Sequence, residues 1–180
     1  MSSGTSSMRG PAARWPDEQL EEAYSLAMVL ADYGRDVPGW DFAVLGTDVS
    51  PRMLERARQA VYSRGQVAPL PPQLRERYLL QPKDPGRDEV RIRPELRARV
   101  AFRELNFMAG EYDVPTFDLL FFRNVAIYFD APTQRAVVDK LLRRLRVGGH
   151  LFLGQSESLT GSAPGLERVG PSVYRSVRER

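Results

Sequence analysis

The sequence predicts an α/β fold, built as a doubly wound, mostly parallel sheet with an antiparallel strand at its C-terminal end. Short and nearly continuous apolar runs recur at residues 42–48, 117–122 and 150–153, as strands buried on both faces require. Stretches with apolar residues at helical spacing separate these runs. The last two strands are joined without a helical pattern, so the sheet is expected to end antiparallel.

Each element has a local reason. Residues 1–14 are rich in Ser, Gly and Ala and are expected to form a disordered tail before a single domain at 15–180. Trp15-Pro16-Asp17-Glu18 reads as a helix start, with proline and acids in the first turn. Leu20, Ala23, Tyr24, Ala27, Met28 and Ala31 follow at helical spacing, and Gly34 is a natural stop. The run at 42–48 closes on Asp48. Ser50-Pro51 then caps a second helix carrying Met53, Leu54, Ala57 and Val61 on one face. Between Gly65 and Pro94 the pattern weakens, and Val90-Arg-Ile-Arg alternates as a half-exposed strand would. Residues 100–106 alternate likewise, and 117–122 is a buried strand. Asp130 and Pro132 open a helix with Val137, Val138, Leu141, Leu142 and Leu145 in a stripe, and Gly148-Gly149 is expected to end it. The final strand, 172–177, follows a Gly/Pro-rich loop.

Composition narrows the chemistry. The chain has 180 residues, 42% hydrophobic and 27% charged, with a net charge of +3, ordinary values for a soluble domain. It has no cysteine and one histidine, His150, so disulfides, thiolate chemistry and histidine clusters are excluded and no metal site is expected. No apolar run is long enough to span a bilayer, and a cytoplasmic monomer is the expectation. Arg87, Arg91, Arg93, Arg97, Arg99 and Arg103 crowd one stretch, interleaved with Asp88, Glu89 and Glu95. A solvated face or a surface for an acidic partner both fit. Nucleic acid is not expected, since no aromatic interleaving accompanies the arginines.

Candidate functional residues lie at strand ends, where open α/β sheets bind ligands. A carboxylate at Asp48 can accept both hydroxyls of a ribose, or it can cap the turn before Ser50. Asn106 can read an adenine edge or cap a turn. Tyr24 and Ser25 fit core packing. The most unusual segment is Arg123-Asn124-Val125-Ala126-Ile127-Tyr128-Phe129-Asp130, where polar residues interrupt an apolar run. An arginine beside Phe121 and Phe122 is costly to hold without a partner.

The segment 121–130 with Gln134 resembles the signature of CheR-type chemotaxis methyltransferases. So do Glu21-Glu-Ala-Tyr-Ser-Leu-Ala-Met28, Gly46-Thr-Asp-Val-Ser50, Phe102-Arg-Glu-Leu-Asn106, and Gly148-Gly-His-Leu-Phe-Leu-Gly154 with Ser156-Glu157-Ser158. The motifs stand in the family's order and cover roughly residues 21–160. The resemblance implies a Rossmann-like class I methyltransferase domain with a small inserted β-subdomain at 66–100. It implies methyl transfer from S-adenosylmethionine to glutamate carboxylates of chemoreceptors, with the receptor's cytoplasmic domain or C-terminal tail as partner. Glu22, Asp48, Asn106, Phe107, Asn124 and Val125 would hold the cofactor, with Asp48 at the ribose, Asn106 near the adenine, and Asn124 and Val125 along the methionine side. Arg123 and Tyr128 would face the substrate carboxylate.

One departure stands out. Family members carry a short glycine loop immediately before the Glu-Glu-x-Tyr-Ser motif, whereas here the place reads Trp15-Pro-Asp-Glu-Gln-Leu20, with no glycine between Gly10 and Gly34. The family's N-terminal helical domain has no counterpart in the sequence either. A working enzyme, a degenerate relative kept as a binding module, and a methyltransferase for another substrate such as RNA all remain open at this point.

Overall fold

The computed structural model describes residues 19–84, 86–123, 125, 128–154 and 164–177. The expected tail at 1–14, the helix start at 15–18, Asn124, Ala126, Ile127 and the motif at 156–158 lie outside the described residues. The chain divides into two compact units, at Met1–Glu104 and Leu105–Arg180.

In the first unit, α1 (Gln19–Gly34) precedes β1 (Val44–Asp48) and α2 (Pro51–Gln59). Strand β1 pairs in parallel with β5 (Val100–Glu104), Val44 opposite Val100 and Asp48 opposite Glu104. Ser50 caps α2 by accepting from the Met53 N–H at 3.4 Å, and Pro51 fills the first turn, where its missing donor costs nothing. Between α2 and β5 the chain makes an excursion. It runs through β2 (Val61–Ser63), α3 (Arg64–Val67), α4 (Pro72–Tyr78), β3 (Leu79–Leu80), β4 (Glu89–Ile92) and α5 (Pro94–Arg97). The three strands form an antiparallel sheet of order β2-β4-β3. Its inward residues, Leu79, Val90 and Ile92, share one core with Tyr24, Ala27, Met28 and Val44.

The excursion leaves and returns at adjacent points. Ala60 O accepts from the Ile92 N–H at 3.0 Å, and the Arg64 N–H donates to Asp88 O at 2.9 Å. The helical reading of Val61 is therefore corrected. Ala60 takes the left-handed conformation (φ 55°), stops α2, and sends Val61 into β2 opposite Arg91. No glycine announces this stop, and the apolar spacing from Leu54 through Ala57 to Val61 imitates a longer helix.

In the second unit, β6 (Phe117–Phe122) pairs in parallel with β7 (Leu145–Leu153), joined by α6 (Ala131–Leu142). Strand β9 (Val173–Ser176) lies antiparallel between β7 and β8 (Leu166–Gly170), giving the order β6-β7-β9-β8. Asp130 caps α6 through the Thr133 N–H at 3.0 Å, and its hydrogen bonds with the Thr133 side chain and backbone hold its carboxyl below the ordinary range. Val137 and Leu141 pack on Phe122, Leu151 and Leu153.

Two expectations fail here for stated reasons. Helix α6 stops at Leu142 instead of running to Leu145, because Leu145 starts β7 and is itself buried. Gly148 (φ +79°) and Gly149 then lie inside the strand, not at a helix end. A Cβ on Gly149 would come within 2.8 Å of Asp118 O, so this close approach admits only glycine. The loop expected before the final strand contains β8. The elements amount to a mixed, Rossmann-like α/β fold, with parallel pairs and an antiparallel C-terminal part.

Candidate functional site

In the first unit Asp48 ends β1, and its own turn aims it. Asp48 Oδ1 accepts from the Ser50 N–H at 2.7 Å, the capping role. Its other oxygen has no hydrogen bond among the described residues, so a half-buried carboxylate at the C-terminal end of a parallel strand keeps one acceptor for a ligand. Tyr24 is core, as expected. It is buried, donates from its hydroxyl to Ala57 O at 3.2 Å, and meets Tyr62 and Phe102 edge-on. Burial raises the pKa of its phenol above the ordinary value. Ser25 is half-buried beside it. Glu22 is half-buried on α1 and, with Tyr62 and Gln66, lines a cavity of about 30 Å³, room for about one water.

In the second unit Asn106 is exposed and its Oδ1 accepts from the Met108 N–H at 2.8 Å. Its amide nitrogen has no partner among the described residues. Phe107 packs edge-on to Tyr112 (5.8 Å) and Phe122 (5.2 Å). Arg123 follows β6 directly and is half-buried. Val125 packs on the core of this unit, and its carbonyl accepts from the Tyr128 N–H at 3.2 Å. That turn leaves Tyr128 78% exposed, its ring presented to solvent.

Sequence reasoning missed Lys140 and Tyr112. Lys140 Nζ, on α6, donates to Phe107 O at 2.7 Å and Ala109 O at 2.5 Å, and lies 4.9 Å from the Tyr112 ring centroid. The Tyr112 hydroxyl donates to the same Phe107 oxygen at 2.9 Å. Tyr112 is only 1% exposed, and burial pushes its phenol up to about 12, so it stays a donor at ordinary pH. Nothing in the polar side of a helix signals such a contact, which spans 33 residues of sequence.

A cavity of about 690 Å³ contains none of the cofactor or substrate residues expected from sequence. It belongs to the excursion, with Arg64, Arg75 and Arg93 around an apolar lining of Val67, Leu79 and Val90. Among the described residues no cluster of His, Asp and Glu could hold a metal ion, and no helix is long and apolar enough to cross a membrane.

Comparison with known proteins adds ancestry to this geometry. Residues 19–174 match the family model described as "CheR methyltransferase, SAM binding domain". The chain is 37% identical over 161 residues to a chemotaxis protein methyltransferase of Klebsiella aerogenes, covering 89% of this chain and 55% of that protein. It is 38% identical over 155 residues to the Escherichia coli chemotaxis protein methyltransferase, covering 86% and 54%. A probable chemotaxis protein methyltransferase of Rhizobium etli is 32% identical over 156 residues, covering 86% and 58%. The chain spans about half the length of these curated relatives.

Proposed function

The chain belongs to the CheR methyltransferase family through its SAM-binding domain, and we propose that it transfers a methyl group from S-adenosylmethionine to glutamate side chains of a cytoplasmic chemoreceptor domain. The observation that carries the reading is the segment after β6, where a half-buried Arg123 and an exposed Tyr128 stand within a short stretch at a strand's C-terminal end. Each unit by itself offers groups of a kind the cofactor needs. Asp48 keeps one carboxylate oxygen for ribose hydroxyls, Asn106 keeps its amide nitrogen for an adenine edge, and Phe107 offers an apolar surface beside it. Glu22, Asn124 and Val125 complete the proposed binding set.

When bound, the cofactor supplies an electrophilic sulfonium methyl. The protein's share is placement. A glutamate carboxylate is already ionised at pH 7, so no general base is needed and the lack of cysteine and of a catalytic histidine is no obstacle. Arg123 and Tyr128 hold the carboxylate by charge-assisted hydrogen bonds and keep it aimed. In-line alignment of this kind is worth up to about 7–11 kcal/mol.

Residues 66–100 are the proposed contact for a receptor tail. The basic rim and apolar lining of the 690 Å³ cavity support this, as does the short β3 at the sheet's edge. A second reading, a binding or regulatory module without catalysis, draws on the absence of glycine from 15–20.

Calorimetric titration with S-adenosylhomocysteine, followed by transfer of labelled methyl to a receptor cytoplasmic fragment, separates the two. Micromolar binding with labelled, base-labile esters on the fragment supports the enzyme, and a folded chain that binds no product leaves the module. Two variants sharpen the test. Asp48→Asn preserves the oxygen that accepts from Ser50, so folding should hold while product affinity falls about tenfold or more. Unchanged affinity would remove Asp48 from the ribose. Tyr128→Phe should lower turnover by about tenfold, with cofactor affinity nearly intact. Equal turnover would remove its hydroxyl from the mechanism.

A further inference from the structure

The hydrogen bonds around Phe107 converge on a single peptide group. Its carbonyl oxygen receives both the Tyr112 hydroxyl (2.9 Å) and the Lys140 ammonium (2.7 Å). The N–H at the other side of that same peptide belongs to Met108 and donates to Asn106 Oδ1 at 2.8 Å. A peptide is planar and rigid, so fixing its carbonyl fixes the direction of its N–H. A cation on the carbonyl also polarises the group and strengthens the N–H as a donor. The second ammonium bond, to Ala109 O at 2.5 Å, holds the far side of the turn that Ala109 N–H closes onto Asn106 O at 3.0 Å.

We propose that Lys140 and Tyr112 are positioning residues that act through the 107–108 peptide to lock the Asn106 amide in one orientation, and so set the preference for an adenine base. The inference rests on the reading that Asn106 meets the adenine of the cofactor. With Oδ1 anchored by the Met108 N–H, the amide NH₂ is turned outward as a donor. A carbonyl oxygen has two lone pairs, so Oδ1 still accepts one further proton. That pattern complements adenine, whose N1 accepts and whose amino group donates. Hypoxanthine reverses both, with a donor at N1 and a carbonyl at C6. An amide free to rotate by half a turn would satisfy either base, whereas an anchored one satisfies adenine alone. Rejection by mismatched polar groups is the stronger form of discrimination, because each wrong contact leaves a donor or acceptor unpaired.

The test is calorimetric titration of the full chain with S-adenosylhomocysteine and with its hypoxanthine analogue, S-inosylhomocysteine. The unaltered protein should favour the adenine compound strongly. Lys140→Met keeps the aliphatic stem and removes the cation; it should lose about tenfold in affinity for the adenine compound while affinity for the hypoxanthine compound stays level or rises. Tyr112→Phe, which keeps the buried ring and its packing, should move the preference in the same direction. Lys140→Arg should recover most of it. A role confined to stability would weaken both ligands alike, so parallel losses, or no change in preference in either variant, would overturn the proposal while leaving the cofactor reading standing. Failure of the unaltered protein to bind either compound would refute that reading, and the inference with it.

Discussion

Arg123→Met is expected to slow methyl transfer about 100-fold while leaving product affinity within about threefold, as loss of alignment without loss of the cofactor site would. Methionine keeps a flexible apolar stem of similar length but offers no N–H donor. The size of the effect follows from what the reaction does with charge. A carboxylate and a sulfonium neutralise one another as the methyl moves, so a cation near the carboxylate stabilises the ground state at least as much as the transition state. In the proposed role the arginine would contribute aim more than charge, and aim appears in kcat. Arg123→Lys separates the two: it retains the charge but loses the planar fork, and should fall between methionine and the unaltered protein. Wild-type turnover in the methionine variant would end the proposed role.

Leu151→Ala should cost about 2–5 kcal/mol of stability, read as a shift in the denaturant midpoint. Leu151 is 0% exposed in the C-terminal half of β7 and packs in the cluster with Val137, Leu141 and Phe122. Removing its side chain leaves a void beneath α6 that β-sheet hydrogen bonding keeps from collapsing. A loss under about 1 kcal/mol would mean that the sheet and helix close over the gap.

The parts of the fold legible in sequence were those where one physical requirement dominates. Runs such as Val44–Asp48 and Phe117–Phe122 form strands as their apolar character predicts, although Asp118 and Phe121 of the second are exposed where a strand buried on both faces was expected, and Ser50-Pro51 marks a helix start by its chemistry alone. Legibility failed where tertiary context decides. Val61 keeps helical spacing after Leu54 and Ala57, yet Ala60 turns left-handed and ends the helix without glycine. Strand β8 presents Glu167, Arg168 and Val169 all exposed, so it has no alternation to detect. The site divides the same way. Asp48 and Asn106 are visible as polar residues at the ends of expected strands, and the structure adds that each first satisfies its own turn. Lys140 and Tyr112 were invisible, because their importance lies in a carbonyl that no side-chain pattern records.

The pinned ends of the excursion carry a consequence for how such a chain can change. The Ala60–Ile92 and Arg64–Asp88 hydrogen bonds bring its departure and return together, so everything from α3 to the residues before β4 hangs from a closed clasp. Lengthening a closed loop is cheap in entropy, about 0.6 kcal/mol for each doubling. Exposed positions between the pins, such as Gln81 and Lys83, can thus accept insertions while β1 and β5 keep their register, whereas Val67, Leu70 and Leu79 are tied to the shared core and cannot be exchanged freely.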